Sequence, residues 1–311
     1  MSAADVLSYC AKLVSFGEPK FRRRARSGLF VNVATIFIVT YVGLEIVVRL
    51  AGLGSFPVYV RDSAVGYYLM PNQHGVFLDR IHWFVNSDGF VNDRDFTDSH
   101  PSSLLVGDSI VYGGNPVDWD CRVGTLAGKY SRRATWVAAA GGWNLLNELA
   151  FLEQYRRIVG KVDRLIFVLN SGDFGEAGQW TGELAFPTRH PLSLFPYLIR
   201  RYLLAHPAEL PPVNITATGQ TWQPEFDRLL RASPERVTII LYPDRADYSD
   251  KSAWAQHTAA IRQYGARHRN LKFVDLTQET SWRGSYYSDG IHPTCAGNHA
   301  LAGIVAAAEL R

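Results

Sequence analysis

The sequence between positions 104 and 110 reads Leu104-Leu105-Val106-Gly107-Asp108-Ser109-Ile110. A short apolar run bounded by a glycine predicts a buried β-strand, and Ser109 then lies where that strand turns into a helix. The backbone N–H of a residue in this position points outward with the helix N-terminus, where it can stabilise a developing oxyanion. The stretch therefore predicts both a strand of an α/β sheet and a candidate nucleophile.

Alternating strand and helix patterns follow this first strand along the chain. The predicted strands are 104–107, 135–139, 165–169, 237–242 and 271–274. The predicted helices are 119–130, 143–158, 222–232, 250–267 and 296–310. This alternation predicts a parallel sheet with helices on both faces, a three-layer α/β/α fold. Ligands of such sheets bind beyond the carboxyl ends of the strands, where Ser109 and Gly142 would lie.

A second informative stretch reads Asp289-Gly290-Ile291-His292-Pro293. A serine hydroxyl is a poor nucleophile until a base takes its proton, and imidazole serves as that base once its tautomer and orientation are fixed. Asp289 lies three residues before His292, close enough to reach the ring from the same loop. The two stretches together predict a catalytic triad of Ser109, His292 and Asp289.

These motifs resemble the SGNH, or GDSL, family of serine esterases and their acyl-transferring relatives, over about residues 100–311. The resemblance implies a flavodoxin-like domain with a central parallel sheet, in which the Gly-Asp-Ser block carries the nucleophile. The Asp-x-x-His block carries the other two triad members. It implies a reaction that needs neither a metal ion nor an organic cofactor.

The same resemblance implies an oxyanion hole built from two further blocks. Gly142, at the end of the strand-like stretch 137–144, matches the family glycine that donates its N–H, beside the N–H of Ser109. The third family block, Gly-x-Asn-Asp, is altered here, because Gly172 stands where the family has its asparagine. Asn170 is the leading candidate for a substitute amide, and Asn144 is the second.

The N-terminal region predicts a membrane anchor. Residues 1–28 carry a net charge of +4, whereas the rest of the chain is close to neutral, so the basicity gives no case for nucleic-acid binding. Residues 29–48 form a 20-residue apolar stretch whose only ionised side chain is Glu45, long enough to span a bilayer as a helix. The preceding arginines predict a cytoplasmic N-terminus. A cleaved signal peptide and a buried helix of a soluble protein are the alternatives.

The predicted organisation is therefore a basic cytoplasmic segment (1–28), a transmembrane helix (29–52), a connecting segment (53–100) and the catalytic domain (101–311). The connecting segment is rich in aromatic and turn residues, which predicts one or two short hairpins packed on the main domain. An insertion at about 174–220 is also rich in aromatic residues and would lie over the active site.

The spacing of the cysteines and histidines along the chain does not predict a metal site. Cys121 and Cys295 would both lie outside the cytoplasm, and the triad brings their segments together. A disulfide between them and two independent buried thiols are both open.

The prediction that follows is an esterase anchored in the inner membrane with its catalytic domain in the periplasm or on the outer surface. It would hydrolyse small acyl groups, acetyl above all, on envelope or secreted polysaccharide. One alternative is an O-acyltransferase that uses the same triad. Another is a catalytically degenerate subunit of a membrane complex for polysaccharide synthesis or export, which the altered third block favours.

Overall fold

The computed structural model describes residues 20–114, 116–204, 221–232 and 237–310, with the backbone alone for 20–30. The described chain divides into two compact units, one ending at Leu50 and one beginning at Ala51. Two parts of the predicted organisation lie outside the described residues. They are positions 1–19 of the basic segment and positions 205–220 of the insertion.

The described part of the first unit is one long helix, α1 (Lys20–Leu50). Its segment Val31–Leu50 has a mean hydropathy of 2.1, is long enough to cross a membrane, and is not buried by any of the residues that the structure describes. Glu45 and Arg49 form an ion pair at 2.6 Å, one helical turn apart, so the two charges of the apolar segment compensate each other.

The second unit is built on a parallel sheet of five strands, which are β5 (Ser102–Gly107), β6 (Ala134–Ala139), β7 (Arg164–Leu169), β8 (Val237–Leu241) and β9 (Leu271–Asp275). The strands lie side by side in the order β6-β5-β7-β8-β9. Counted from β5, this is the 2-1-3-4-5 order of flavodoxin-like sheets. The predicted parallel sheet is confirmed, and β5 lies at the point where the strand order reverses.

Several helices of the second unit pack against the sheet. The described residues of this unit form ten α-helices. They are α2 (Ser109–Tyr112), α3 (Val123–Ser131), α4 (Leu145–Gln154), α5 (Arg156–Val159), α6 (Leu194–Tyr202), α7 (Trp222–Ala232), α8 (Arg245–Ser249), α9 (Lys251–His257), α10 (Ala259–Gly265) and α11 (Cys295–Leu310). Helix α11 packs on α3, and α4 packs on α7. Strands β5 and β8 are buried along their whole length, as expected for a sheet covered on both sides.

Two antiparallel hairpins precede the sheet, as the connecting segment predicts. Strand β1 (Tyr59–Asp62) pairs with β2 (Gly66–Leu69), and β3 (Gln73–Phe77) pairs with β4 (Ile81–Val85). Their inward side chains join the core of the sheet domain, so the hairpins belong to its folded body.

Asn92 then covers the free edge of strand β6. Its amide nitrogen donates to the carbonyl of Thr135 at 3.0 Å, and its amide oxygen accepts from the N–H of Val137 at 2.9 Å. An edge strand with unpaired backbone groups invites pairing with another chain, and this buried amide satisfies part of that edge.

Candidate active site

The turn after β5 presents Ser109 at the carboxyl end of the sheet. A Cβ atom on Gly107 would lie 2.4 Å from the Val111 side chain, so the strand can pass this close to the short helix α2 only as glycine. The carboxylate of Asp108 accepts the N–H of Ile110 at 2.8 Å and caps the helix. The local sequence thus fixes the direction in which Ser109 leaves the strand.

Ser109, His292 and Asp289 form one hydrogen-bonded chain. His292 Nε2 lies 2.9 Å from Ser109 Oγ although 183 residues separate the two in sequence, and His292 Nδ1 lies 2.8 Å from Asp289 Oδ2. A carboxylate accepts only, so Nδ1 carries the proton and Nε2 is left to accept the serine proton. The structure brings together all three residues of the predicted triad in the geometry of a nucleophile, a base and an orienting acid.

Asp289 is held in the ionised form. Its burial alone would raise the pKa, but hydrogen bonds from the N–H groups of Ile291 and His292 and from the His292 ring outweigh it and lower the pKa to about 2. The carboxylate is therefore charged at neutral pH and can stabilise the imidazolium that forms when His292 accepts a proton.

The predicted oxyanion donors are the backbone N–H groups of Ser109 and Gly142. A Cβ atom on Gly141 would lie 4.0 Å from the Cβ of Ser109, which places the 140–144 loop beside the nucleophile. Gly142 has φ +75°, a conformation that favours glycine. Among the described residues, neither the N–H of Ser109 nor that of Gly142 has a hydrogen-bond partner. Within the described part of the chain, both predicted backbone donors are therefore unpaired.

The two candidate side-chain amides are partly engaged elsewhere. Asn170 donates from Nδ2 to the Asp108 carboxylate at 3.2 Å and accepts the N–H of Gly172 at 2.7 Å. Asn144 caps helix α4 and donates from Nδ2 to the carbonyl of Glu176. Each amide thus has one of its two N–H bonds committed in this structure. The role of either as an oxyanion donor stays a prediction.

Gly172 leaves the third block without a side chain where an amide was expected. A Cβ atom there would lie 3.0 Å from the Asn170 side-chain oxygen, so a larger residue would need Asn170 to move by a few tenths of an ångström. The N–H of Gly172 is already used by Asn170, and it offers no free donor to the site.

Three carboxyl groups lie buried behind the nucleophile: Asp108, Asp173 and Glu148. Burial raises the pKa of Asp108 to about 6, against the lowering effects of the Ile110 N–H, the His292 charge and the Asn170 amide. Burial, together with the charge of Asp108, raises the pKa of Asp173 and of Glu148 well above their ordinary values. Asp173 accepts the N–H of Asn170 at 2.6 Å and so braces the loop after β7.

Cys121 and Cys295 form a disulfide with Cα atoms 5.7 Å apart. The alternative of two independent buried thiols is therefore wrong, and Cys295 is exposed. In the part of the chain that the structure describes, the one cluster with metal-like spacing is Cys121, Cys295 and His299. Its two sulfur atoms are bonded to each other, so neither is a thiolate that could bind a metal.

The sequence matches no family model and no curated protein. It is similar in structure to a member of the lipolytic G-D-S-L family from Veillonella parvula, at 12% identity and a TM-score of 0.38 over 66% of this chain and 96% of the other. A family two carbohydrate esterase from Clostridium thermocellum has 12% identity and a TM-score of 0.38, over 69% of this chain and 65% of the other.

The C-terminal catalytic domain of peptidoglycan O-acetyltransferase A from Streptococcus pneumoniae has 11% identity and a TM-score of 0.36, over 67% of this chain and 89% of the other. These likenesses are too low to indicate a function, which the geometry of the site itself has to indicate.

Proposed function

We propose that this protein is a serine-dependent ester hydrolase. The observation that carries the proposal is the continuous hydrogen-bond chain from Ser109 through His292 to Asp289. Beside it, the N–H groups of Ser109 and Gly142 have no hydrogen-bond partner among the described residues. Nucleophile, base, orienting carboxylate and oxyanion donors are the groups that acyl transfer requires.

In the first half of the reaction, Ser109 Oγ forms a bond to the ester carbonyl carbon while its proton passes to His292 Nε2. The carbonyl oxygen becomes an oxyanion between the N–H groups of Ser109 and Gly142. When the tetrahedral intermediate collapses, the bond to the alcohol oxygen breaks and His292 returns the proton to that oxygen. Water then repeats the sequence on the acyl-enzyme, so that the carboxylic acid leaves and Ser109 regains its proton.

The finer part of the proposal concerns the substrate, an O-acetyl or other small acyl ester on envelope or secreted polysaccharide. Phe186, from the aromatic-rich insertion, reaches the oxyanion loop, because its ring lies 3.6 Å from the position of a Cβ on Gly142. Aromatic rings beside the reacting carbonyl suit stacking on sugar faces better than a long acyl tunnel.

The proposed location is the outer face of the inner membrane, with α1 as a single-pass anchor. The arginines before residue 29 favour a cytoplasmic N-terminus, and the apolar length of α1 matches a bilayer. The Cys121–Cys295 disulfide supports an oxidising compartment for the catalytic unit, since such bonds are rare in the cytosol.

The full chain in detergent, assayed on p-nitrophenyl esters, tests the mechanism. Ser109→Ala and His292→Ala should each lower kcat by about 10⁴-fold or more, and the double variant should lose little beyond either single one, because the triad acts as a unit. Ser249→Ala, which removes an exposed serine on α8, is the matched control. Turnover of Ser109→Ala at the wild-type rate would refute the mechanism.

The same assay, run on acetate and octanoate esters and on acetylated polysaccharide, tests the substrate. We expect faster turnover of acetate than of octanoate esters. An acyltransferase would release p-nitrophenol faster when a polysaccharide acceptor is added and would yield acetylated polysaccharide, whereas a hydrolase would release acetate.

A further inference from the structure

Tyr67, a residue of the first hairpin, spans the oxyanion loop. Its hydroxyl donates to the carbonyl oxygen of Gly141 at 2.8 Å, and its own carbonyl accepts from the indole N–H of Trp143 at 2.7 Å. The two partners lie on either side of Gly142 in sequence. One buried residue from outside the parallel sheet is therefore bonded to the loop both before and after the proposed donor.

The hydroxyl acts on the same peptide unit that supplies the oxyanion donor. The carbonyl of Gly141 and the N–H of Gly142 belong to one planar trans peptide and point in opposite directions. A hydrogen bond that fixes the carbonyl therefore also fixes the direction of the N–H. It polarises the amide as well, which makes the N–H a stronger donor.

This peptide needs an external restraint, because two consecutive glycines flank it and Gly142 is at φ +75°. Glycine has wide backbone freedom, so sequence alone does not hold the plane in place. On the far side of the loop, a Cβ on Gly178 would lie 2.1 Å from the carbonyl oxygen of Gly142. Asn147 holds Gly178 there through hydrogen bonds of 2.6 and 2.8 Å.

The Tyr67 hydroxyl is well suited to remain a donor. Its side chain is 1% exposed, and its ring stacks on Phe186 with centroids 4.2 Å apart. Burial, with a smaller effect from the charge of Asp108, raises the pKa of the phenol well above its usual range. The phenol therefore keeps its proton at any pH at which the enzyme would work.

We propose that Tyr67 is a positioning residue of the oxyanion hole, which aims and polarises the Gly142 N–H through the Gly141 carbonyl. The inference rests on the proposed function and adds to it a residue that lies outside every family block. The first hairpin therefore contributes a residue to the active site.

Tyr67→Phe tests the inference, because it removes the hydroxyl and keeps the ring that packs on Phe186. Loss of an oxyanion donor costs about 10²–10³ in kcat, and loss of its alignment should cost a part of that, about 10- to 100-fold. We expect kcat on p-nitrophenyl acetate to fall by this factor with KM within about twofold, because the interaction strengthens only as charge develops.

The matched control is Tyr59→Phe. The Tyr59 ring contacts both Tyr67 and Phe186, but no hydrogen bond of its hydroxyl is found among the described residues. This variant should keep kcat within about twofold of the wild type, because no step of the mechanism uses that hydroxyl. A purely structural role of the aromatic cluster would instead lower stability in both variants and leave kcat of the folded enzyme unchanged.

A donor-retaining replacement keeps the test decisive if Tyr67→Phe folds poorly. Tyr67→4-aminophenylalanine offers an N–H to the Gly141 carbonyl and should restore kcat to within a few-fold of the wild type. A folded Tyr67→Phe protein with wild-type kcat, or a folded amino variant as slow as Tyr67→Phe, would overturn the role of Tyr67 alone. Retained turnover in Ser109→Ala, or no esterase activity in the wild type, would overturn the proposed function and this inference with it.

Discussion

Of the three buried carboxyl side chains near Ser109, Glu148 is the one that has no hydrogen bond to the described residues. Both of its carboxylate oxygens lack a partner among the described residues, and the side chain is fully buried on helix α4. A buried charge without a partner is costly, so the group keeps its proton in the folded protein. The unfolded chain would release that proton near the ordinary pKa of glutamate.

This difference predicts a pH-dependent stability. The native state binds a proton that the unfolded state loses, so the free energy of unfolding falls as pH rises from about 4.5 toward the raised native pKa of Glu148. The slope is at most about 1.4 kcal/mol per pH unit for one group. Glu148→Gln should flatten this slope in urea unfolding followed by tryptophan fluorescence between pH 5 and 8.

The control for this measurement is Glu153→Gln, an exposed position on the same helix. It should leave the slope as in the wild type. Asp108 and Asp173 remain in both variants and contribute a residual slope. Identical slopes for the wild type and Glu148→Gln would show that Glu148 is not the protonated group.

At the level of residues, the sequence predicts what is local and misses what comes from distant segments. Ser109 and the Asp289–His292 pair lie in short motifs whose chemistry is readable, and the structure joins them as expected. Glu148 could have been noticed, because it lies on the apolar face of its helix, three residues after Leu145. Tyr67 had no such signal, since its importance arises from a hairpin that meets the loop 74 residues later.

At the level of elements, the five predicted strands agree with the structure to within one or two residues, because buried parallel strands are continuous apolar runs.

The predicted helix 250–267 was wrong in one respect, since it divides into α9 and α10 at Thr258. The Thr258 hydroxyl donates to the carbonyl of Trp254 at 2.8 Å. Such back-bonding by threonine bends a helix, and hydropathy patterns do not register it.

The disulfide joins the short 3-10 helix Trp119–Cys121, just before α3, to the start of α11. Since 174 residues separate the two cysteines, the bond restricts the unfolded chain strongly. Cys121→Ser should lower the free energy of unfolding by about 2–4 kcal/mol and abolish any further effect of dithiothreitol on stability. Cys10→Ser is the matched control and should leave stability unchanged. Equal stability of Cys121→Ser and the wild type would contradict a stabilising bond.

At the scale of the whole molecule, the charge asymmetry around α1 predicts its orientation. A reporter that is active only outside the cytoplasm should give signal when fused after Arg311, and a cytoplasmic reporter should give signal when fused before Phe21.

Replacing Arg22, Arg23, Arg24 and Arg26 by glutamate should reduce the outside signal, because positive charges hold the N-terminus in the cytoplasm. The same number of replacements at exposed arginines of the catalytic unit is the control. Reversed signals would contradict the proposed topology.

The long separation between Ser109 and His292 has a consequence in time. A ribosome adds about 5–20 residues per second, so roughly 10–40 s pass between synthesis of the nucleophile and synthesis of its base. Throughout that interval the nascent chain carries a serine with ordinary alcohol reactivity. Hydrolytic activity therefore begins only when the chain has been made through His292 and has folded so that His292 meets Ser109.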